Sequence, residues 1–228
     1  MPAARKLVRS RLSGYGSTML IGDGEWRYEI RRAGEVIAVE DESLAWGRIR
    51  GTRRSATGSN VYEVEAELDD AGLVGRVVLS YSRGPFNRKA SYESADSFLR
   101  GNVTAGGSRN DITAKLGRYA EVDADLVIFR ALTIAHIRER GQSRWTGRVA
   151  AIDANTLVAA TIKQSCRQRG SDPHSWIYEL RMGDSEEIEI DDGGIVLRRR
   201  DSRGIETVLI ARQPNPSPLP EREGGQQR

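Results

Sequence analysis

The sequence predicts a mostly β fold, in which one curled antiparallel sheet of the spiral β-roll or half-barrel type is accompanied by at most one or two short helices. The first observation is composition, because 24 glycines against 7 prolines in 228 residues favour strands joined by tight turns. The second is alternation: WRYEI at 26–30 places Trp26, Tyr28 and Ile30 on one face, as in a strand with one buried and one wet side. The segment VYEVEAEL at 61–68 alternates in the same way.

The third observation is a repeated turn pattern. Three segments place Asp and small residues between aliphatic runs: ELDDAGLVGR (67–76), EIDDGGIVLR (189–198) and a weaker version, AIDANTLVA (151–159). Such residues supply the side-chain hydrogen bonds and positive φ angles that tight hairpins need. The pattern predicts an antiparallel meander and favours common turn chemistry over an internal duplication. The acid pairs Asp69/Asp70 and Asp191/Asp192 are accordingly predicted to form turns rather than to bind a cation.

The chain is expected to form one β-rich domain at 15–212, because 228 residues lie within the range of single β-sandwiches and barrels. Residues 1–14 are predicted to be a flexible basic arm. The segment 213–228 concentrates Pro, Gly and charged residues without apolar anchors, which predicts a disordered tail.

The formal charge of +3 originates in the N-terminal region. Residues 1–22 contain four basic residues and no acidic one, so the remaining 206 residues carry 31 basic and 32 acidic side chains. A protein dedicated to binding nucleic-acid phosphates requires a strong positive excess. The charge balance therefore gives no strong nucleic-acid signal, although RWTGR at 144–148 and RRRDSRG at 198–204 are locally basic.

Reactive and metal-binding residues are scarce. Cys166 is the only cysteine, and His136 and His174 are the only histidines, so the sequence predicts no intrachain disulfide and no cysteine or histidine metal site. It carries no nucleophile-elbow, P-loop or zinc-protease motif, and we assign no catalytic residue, metal or cofactor. There is no secretory apolar segment and no transmembrane-length apolar run, so we expect a cytoplasmic protein.

The segment EVDADLVIFRALTIAHIRERG at 121–141 contains the longest apolar run and is the strongest candidate for a helix, although its apolar positions also fit a strand. Asp123 and Asp125 precede the run, and His136 lies within it. These three residues would support a hydrolase or isomerase only if their side chains converged in one pocket. Arginine-paired or solvated acids and a histidine at the edge of the apolar face are favoured instead.

The second half of the chain resembles the bacterial family of putative glycolipid-binding proteins. The matching residues are DADL at 123–126, LTIAHIRERG at 132–141, IDANTLV at 152–158, Gln164 with Tyr178, and EIDDGGIVLR at 189–198. The order of elements matches over about residues 25–200, whereas the Pro and Asn that family members carry between the acidic and basic segments are replaced by Ile128 to Ala131. The resemblance implies a spiral β-roll akin to bacterial lipoprotein carriers, and a lipid or glycolipid ligand.

A curled sheet can bind an amphipathic molecule in its hollow, where each buried CH₂ group contributes about 0.8 kcal/mol. The residues expected to line the hollow are Trp26, Tyr28, Tyr81, Leu126, Phe129, Trp145, Trp176 and Tyr178. The same residues could fill the hollow, with the apolar run of 126–137 as a plug. The leading hypothesis is thus non-enzymatic binding of a lipid or glycolipid, and the alternative is a structural or protein-interaction module that uses exposed sheet edges. The oligomeric state is not predicted.

Overall fold

The computed structural model of the chain describes residues 21–117, 121–180 and 184–214. Within them it contains fifteen strands: β1 (Gly24–Arg32), β2 (Glu35–Ala45), β3 (Arg48–Ser55), β4 (Asn60–Leu68), β5 (Val74–Arg83), β6 (Phe86–Ala95), β7 (Phe98–Ala105), β8 (Ser108–Lys115), β9 (Val122–Asp123), β10 (Arg144–Ile152), β11 (Ala159–Gln168), β12 (Ser175–Glu179), β13 (Ser185–Ile190), β14 (Val196–Asp201) and β15 (Ile205–Pro214). One helix, α1, spans Val127–Glu139. The predicted arm at 1–14 and most of the predicted tail at 213–228 lie outside the described residues.

The described strands form one sheet in the order β8-β7-β6-β5-β4-β3-β2-β1-β15-β14-β13-β12-β11-β10-β9. All neighbouring strands are antiparallel except the short β9, which is parallel to β10. The pairing of β1 with β15 joins the two halves of the chain in the middle of the sheet. The predicted fold class, a curled antiparallel sheet with at most one or two short helices, is confirmed.

The turn chemistry explains the meander. Four hairpins have two-residue loops in which both central residues adopt positive φ, as type I′ turns require: Ala33–Gly34, Trp46–Gly47, Asp96–Ser97 and Gly106–Gly107. In the wider β4–β5 and β13–β14 turns, the first aspartate of each acid pair accepts backbone hydrogen bonds. Asp69 Oδ1 accepts from Ala71 N and Leu73 N at 2.9 Å, and Asp191 Oδ1 accepts from Ile195 N at 2.8 Å. The prediction that these two aspartates form turns is confirmed.

The apolar run of 126–137 forms helix α1 and not a strand. Every residue from Val127 to Ile137 is buried, because the sheet curls around the helix and covers it on all sides. The C-terminus is closed by Gly141 at φ +64°, where Gly141 N and Gln142 N bond to Arg138 O and Ile137 O. This is the Schellman arrangement, in which a left-handed glycine ends the helix. The hollow of the sheet therefore contains α1.

The curled sheet is not closed by strand pairing among the described residues. Near the C-terminal end of β8, the Thr161 hydroxyl of β11 accepts from Lys115 N at 2.6 Å and donates to Lys115 O at 3.0 Å. Tyr92 of β6 donates from its hydroxyl to Leu157 O at 2.6 Å. Side-chain contacts of this kind hold the two ends of the sheet together, where a closed barrel would have a hydrogen-bonded ladder.

Gly51 is where the sheet approaches the start of α1 most tightly. A Cβ atom at this position of β3 would lie 2.2 Å from Leu126 Cδ1, and Leu126 is fully buried. The φ angle of Gly51 is not in the left-handed region, so backbone conformation does not explain the glycine. The close contact with Leu126 does. The missing side chain lets the backbone of β3 pack directly on the residue that precedes α1.

Substituting Gly51→Ala is expected to lower the free energy of unfolding by ~1–3 kcal/mol, because the added methyl overpacks the contact with Leu126. In the Leu126→Ala background the same substitution should cost much less, since the methyl enters vacated space. Gly75→Ala on β5 is the matched control, because its Cβ would meet no atom closer than 3.7 Å. Urea unfolding of the four variants measures this coupling, and equal costs of Gly51→Ala in both backgrounds would contradict it.

Candidate functional site

The most unusual feature of the hollow is the number of charged side chains buried around α1. The buried charged residues on α1 and around it are Glu40, Glu42, Glu121, Asp123, Arg130, Glu186, Arg199 and Asp201. Charged groups are rarely this buried unless each is paired or hydrogen-bonded. Most of them form two clusters, one at the N-terminus of α1 and one beside its first turns, whereas Glu121 lies near the C-terminal half of α1 and Asp201 pairs with Arg203 after β14.

The N-terminal cluster caps α1 from the sheet. Glu40 Oε1 of β2 accepts a hydrogen bond from Val127 N, and Glu42 Oε1 accepts one from Ile128 N, both at 2.9 Å. The side chain of the N-cap residue, Leu126, is apolar and cannot accept a hydrogen bond from these N–H groups, and α1 has no acidic residue in its first turn. Two carboxylates from a distant strand therefore satisfy the first N–H groups of the helix and face its positive dipole end.

Arg53 of β3 connects this cap to the chain that enters the helix. Its Nε lies 2.6 Å from Glu40 Oε2, its Nη1 lies 2.9 Å from Asp125 Oδ2, and its Nη2 donates to Asp125 O. Asp125 adopts φ +58°, which is strained for a residue other than glycine. The tight turn is also held by Tyr62 of β4, whose hydroxyl donates to Ala124 O at 2.7 Å.

The pKa shifts at this cap follow from burial and charge. Burial alone would raise the pKa of Asp125, but the positive charges of Arg53, Arg199 and Arg130 outweigh it and lower the pKa. For Glu42, burial and the nearby Glu40 outweigh the opposing effects of the Ile128 N–H and Arg53, and they raise its pKa well above its usual value, which favours the neutral acid. The cap thus combines one salt bridge, between Glu40 and Arg53, with one carboxyl group held towards its neutral form.

The second cluster surrounds Arg130 in α1. Arg130 Nε donates to Glu186 Oε2 at 2.9 Å, its Nη1 pairs with Asp123 Oδ2, and its guanidinium lies 4.8 Å from the centre of the Tyr178 ring. Gln164 Nε2 donates to Asp123 Oδ2 at 3.2 Å and its Oε1 accepts from the Tyr178 hydroxyl at 2.6 Å. Gln164 and Tyr178, which carry part of the family resemblance, are therefore partners in a buried polar network.

Asp123, Asp125 and His136 are not brought together in one pocket. Asp123 pairs with Arg130, and Asp125 pairs with Arg53. His136 instead lines a small cavity near the C-terminal half of α1, together with Glu121 and Thr133. The convergence that a hydrolase or isomerase site would require is not found. Within the described ranges, no three His, Cys, Asp or Glu side chains are arranged to hold a metal ion.

The cavity between Glu121 and His136 contains unpartnered polar atoms. Both carboxylate oxygens of Glu121 and both ring nitrogens of His136 are buried without a hydrogen-bond partner. The free volume is about 10 Å³, which is roughly enough for one water molecule. Burial raises the pKa of Glu121 to about 7, partly opposed by the charge of Arg140. Burial lowers the pKa of His136 to about 4, and Arg140 adds to this decrease.

A groove lies on the outer face of the sheet. One depression of about 470 Å³ crosses β15, β1, β2 and β3, and a second of about 370 Å³ crosses β3 to β6. Both are lined by Arg50, Gly51 and Thr52, so they adjoin at β3, and together we call them the outer groove. Its outward-facing charges are four acidic and three basic side chains: Glu25, Asp41, Glu63, Glu65, Arg27, Arg50 and Lys89.

The eight residues predicted to line the hollow all lie in the interior. Each is at most 9% exposed: Trp26, Tyr28, Tyr81, Leu126, Phe129, Trp145, Trp176 and Tyr178. They belong to the same core cluster as the apolar side chains of α1. Helix α1 thus occupies the hollow. The six of these residues that lie on strands stay predicted ligand contacts for a form in which α1 has moved, whereas Phe129 is part of α1 and Leu126 directly precedes it.

The residues that hold α1 were missed by the sequence argument, although a signal was present. In EVIAVEDESLA at 35–45, Glu40 and Glu42 alternate in phase with Leu44, which is buried. A period of two places all three on the same face. Acidic residues in phase with an inward-facing leucine therefore indicated buried carboxylates in need of partners. The same period places Arg53 in phase with the buried Ile49, whereas Arg48, Arg50 and Arg54 of β3 fall on the other face, so the pattern also indicated Arg53 as an inward-facing partner.

Comparison with known proteins supports the fold and leaves the function open. No protein-family model and no curated protein sequence matches this chain. A DUF1089 family protein from Pseudomonas aeruginosa is similar in structure, with a TM-score of 0.53, 16% identity, and coverage of 82% of this chain and 95% of that one. A β-barrel-like protein of the domain of unknown function DUF1849 from Brucella abortus has a TM-score of 0.53 and 9% identity, with coverage of 85% and 98%.

At these identities the likeness extends to the fold alone. The neighbours agree with a β-rich, barrel-like architecture, and neither is described as a glycolipid-binding protein. The family resemblance drawn from the sequence is therefore supported only as far as the fold. In the described part of the chain, the helix is too short and insufficiently apolar to cross a membrane.

The opposite shifts of Glu121 and His136 predict a specific pH dependence of stability. Between about pH 4.5 and 6.5, folded Glu121 keeps a proton that the unfolded chain releases, whereas folded His136 lacks one that the unfolded chain binds, so the two effects cancel. In Glu121→Gln, only His136 of this pair still titrates, and the free energy of unfolding should fall by about 1.4 kcal/mol per pH unit as the pH falls through this window. In His136→Gln, only Glu121 of this pair still titrates, and the free energy of unfolding should fall by a similar amount as the pH rises.

The double variant Glu121→Gln/His136→Gln is the baseline, because all other titrating groups are retained in it. Urea unfolding at pH 4.5 to 7 gives the stability of each protein relative to that baseline. The wild type should show a flat difference and the single variants opposite slopes. Slopes of the same sign in the two single variants would refute the assignment of the two pKa values.

Proposed function

We propose that the protein is a non-enzymatic protein-interaction module that binds a polypeptide segment in the outer groove. The observation that carries the proposal is the division of space in the fold. The hollow, where a curled sheet would otherwise bind a ligand, is filled by α1, while the two largest depressions described above lie outside and adjoin at Thr52. Concave surfaces of several hundred Å³ are the usual size of binding sites.

The charges of the outer groove favour a polypeptide over other partners. Four acidic and three basic side chains are interspersed along its walls, so it has no excess of positive charge for a polyanion. The ion pairs between them are exposed: Arg27 with Asp41 at 2.6 Å and Arg50 with Glu65 at 3.6 Å. Exposed pairs contribute little to stability and can exchange partners. A segment that carries both Lys or Arg and Asp or Glu side chains complements such a surface.

Thr52→Trp tests this proposal, because Thr52 lies on the outward face of β3 where the two depressions meet. Tryptophan is compatible with a strand but fills the groove, so binding to an array of peptides of mixed charge should be lost. The matched control is Thr146→Trp on the outward face of β10, which lies outside the groove lining and should bind as the wild type does. Unchanged binding by Thr52→Trp, or no peptide bound by the wild type, would reject the groove as the site.

An amphipathic lipid in the hollow is the second candidate, and it is favoured by the way α1 is held. Six of the eight predicted contact residues lie on strands of the sheet and face the hollow, and the start of α1 is tied to the sheet by Glu40, Glu42 and Arg53. A ligand that replaced α1 would have to satisfy these polar groups with a head group and cover the apolar walls with a chain. On this proposal α1 is a displaceable occupant, and lipid enters only when its cap is released.

Releasing the cap should therefore increase lipid uptake. Arg53→Met removes the partner of Glu40 and Asp125 at a cost of ~3–5 kcal/mol, whereas Arg54→Met removes only an exposed pair with Asp41 at 3.5 Å. A dansyl-labelled fatty acid should bind Arg53→Met saturably, with displacement by unlabelled fatty acid, and bind the wild type and Arg54→Met weakly. The comparison is made where circular dichroism shows all three proteins folded. Equal uptake by both variants would exclude entry through release of α1.

A further inference from the structure

The outer edge of β8 has a defined pattern of backbone groups. Leu116 N donates to Ser97 O on the β7 side of the strand. Lys115 N and O point the other way, because both bond to the Thr161 hydroxyl of β11. Since a strand alternates with a period of two, the N–H and C=O groups of Arg109, Asp111 and Thr113 also point away from β7.

No described strand pairs with the N-terminal half of this edge. Among the described strands only β7 forms a ladder with β8; β10 and β11 lie close to β8 without pairing, and the hydrogen bonds to Thr161 involve only the C-terminal residue Lys115. Residues Ser108 to Asp111 are exposed, and Ile112 is half-buried. An edge of this kind is a template for another strand unless its side chains prevent pairing.

We propose that this edge binds a second copy of the chain, with β8 of each protomer paired antiparallel about a two-fold axis at Asn110. In this register Arg109 of one protomer lies opposite the partner's Asp111, and Asp111 lies opposite the partner's Arg109. Both residues have outward-pointing backbone groups, so each pair exchanges two backbone hydrogen bonds. Their side chains lie on the same face, and opposite charges directly across a strand pair attract.

The register follows from the charges and from the extent of the uncovered edge. A two-fold axis at Asp111 would place two aspartates opposite each other, and an axis at Arg109 would do the same with two arginines. The axis at Asn110 avoids both. It also places Ser108 opposite the partner's Ile112, so the paired segment ends before Lys115, where Thr161 already covers the edge. Charge complementarity and available length thus select the same register.

Within one protomer, Arg109 and Asp111 are the charged pair of this edge. Arg109 Nε lies 3.6 Å from Asp111 Oδ1, with side-chain exposures of 69% and 86%. An exposed ion pair within one chain contributes little to stability. Replacing it with two pairs between protomers therefore costs little free energy. The paired segment is short, which makes the dimer weak and dependent on protein concentration.

Charge reversal of the two residues tests the register. Arg109→Asp should place Asp opposite Asp, and Asp111→Arg should place Arg opposite Arg, so each variant should dimerise at least about ten-fold more weakly than the wild type. The double variant Arg109→Asp/Asp111→Arg restores opposite charges and should recover the dimer. An equimolar mixture of the two single variants should form a heterodimer. Sedimentation velocity from low micromolar to low millimolar protein measures each case.

Arg48→Asp on the outward face of β3 is the control for a change of charge away from β8, and it should dimerise as the wild type does. Thr52→Trp should also dimerise normally, which separates this interface from the outer groove. A wild type that stays monomeric at all concentrations overturns the proposal. So does a double variant that fails to recover the dimer, because a self-association that ignores the charge pairing cannot use this register.

Discussion

The rest of the structure depends on how the N-terminus of α1 is held inside the sheet. A helix that begins in the buried hollow of a sheet leaves its first N–H groups without partners unless the surrounding protein supplies them. Glu40 and Glu42 supply them, and Arg53 neutralises Glu40 while it fixes the strained turn at Asp125. Each large apolar side chain that α1 then buries contributes about 1.5–3 kcal/mol, so a few polar contacts secure the apolar centre of the fold.

Strand β3 links the packing of the start of α1 to the shape of the outer surface of the sheet. Gly51 lets the backbone of this strand lie directly on Leu126, and Gly51 also belongs to both depressions of the outer groove. A side chain on the inner face would push the strand outwards and make the groove shallower. Arg53, two residues further on, reaches inwards to Asp125. One short strand therefore carries the close packing and the ion pairing of the helix on one face, and part of the groove on the other.

The sequence was sufficient for the sheet, because its signals are local. Alternation in 26–30 and 61–68 and the aspartate turns at Asp69 and Asp191 each act within a few residues, and each appears in the structure. The contacts that fix α1 to the sheet include pairs 56 and 87 positions apart, Arg130 with Glu186 and Val127 with Glu40. Those contacts require the curvature of the sheet, which no local pattern contains. His136 was expected at the edge of the apolar face and is instead buried, and its buried neighbour Glu121 had no local sign of its role.

The main effect of the buried charges is to fix the position of α1 in the hollow, and their contribution to the free energy of unfolding is small. An apolar helix in an apolar hollow could rotate or slide with little change in buried area, whereas Arg130 must meet Asp123 and Glu186 at the same time as Val127 and Ile128 meet the cap. Because desolvation offsets most of the attraction in such pairs, we infer that they select one position of the helix. The same groups limit what else could occupy the hollow. A purely apolar molecule would leave Glu40 and Arg53 without compensation for lost water, so any alternative occupant must present a polar group at that end.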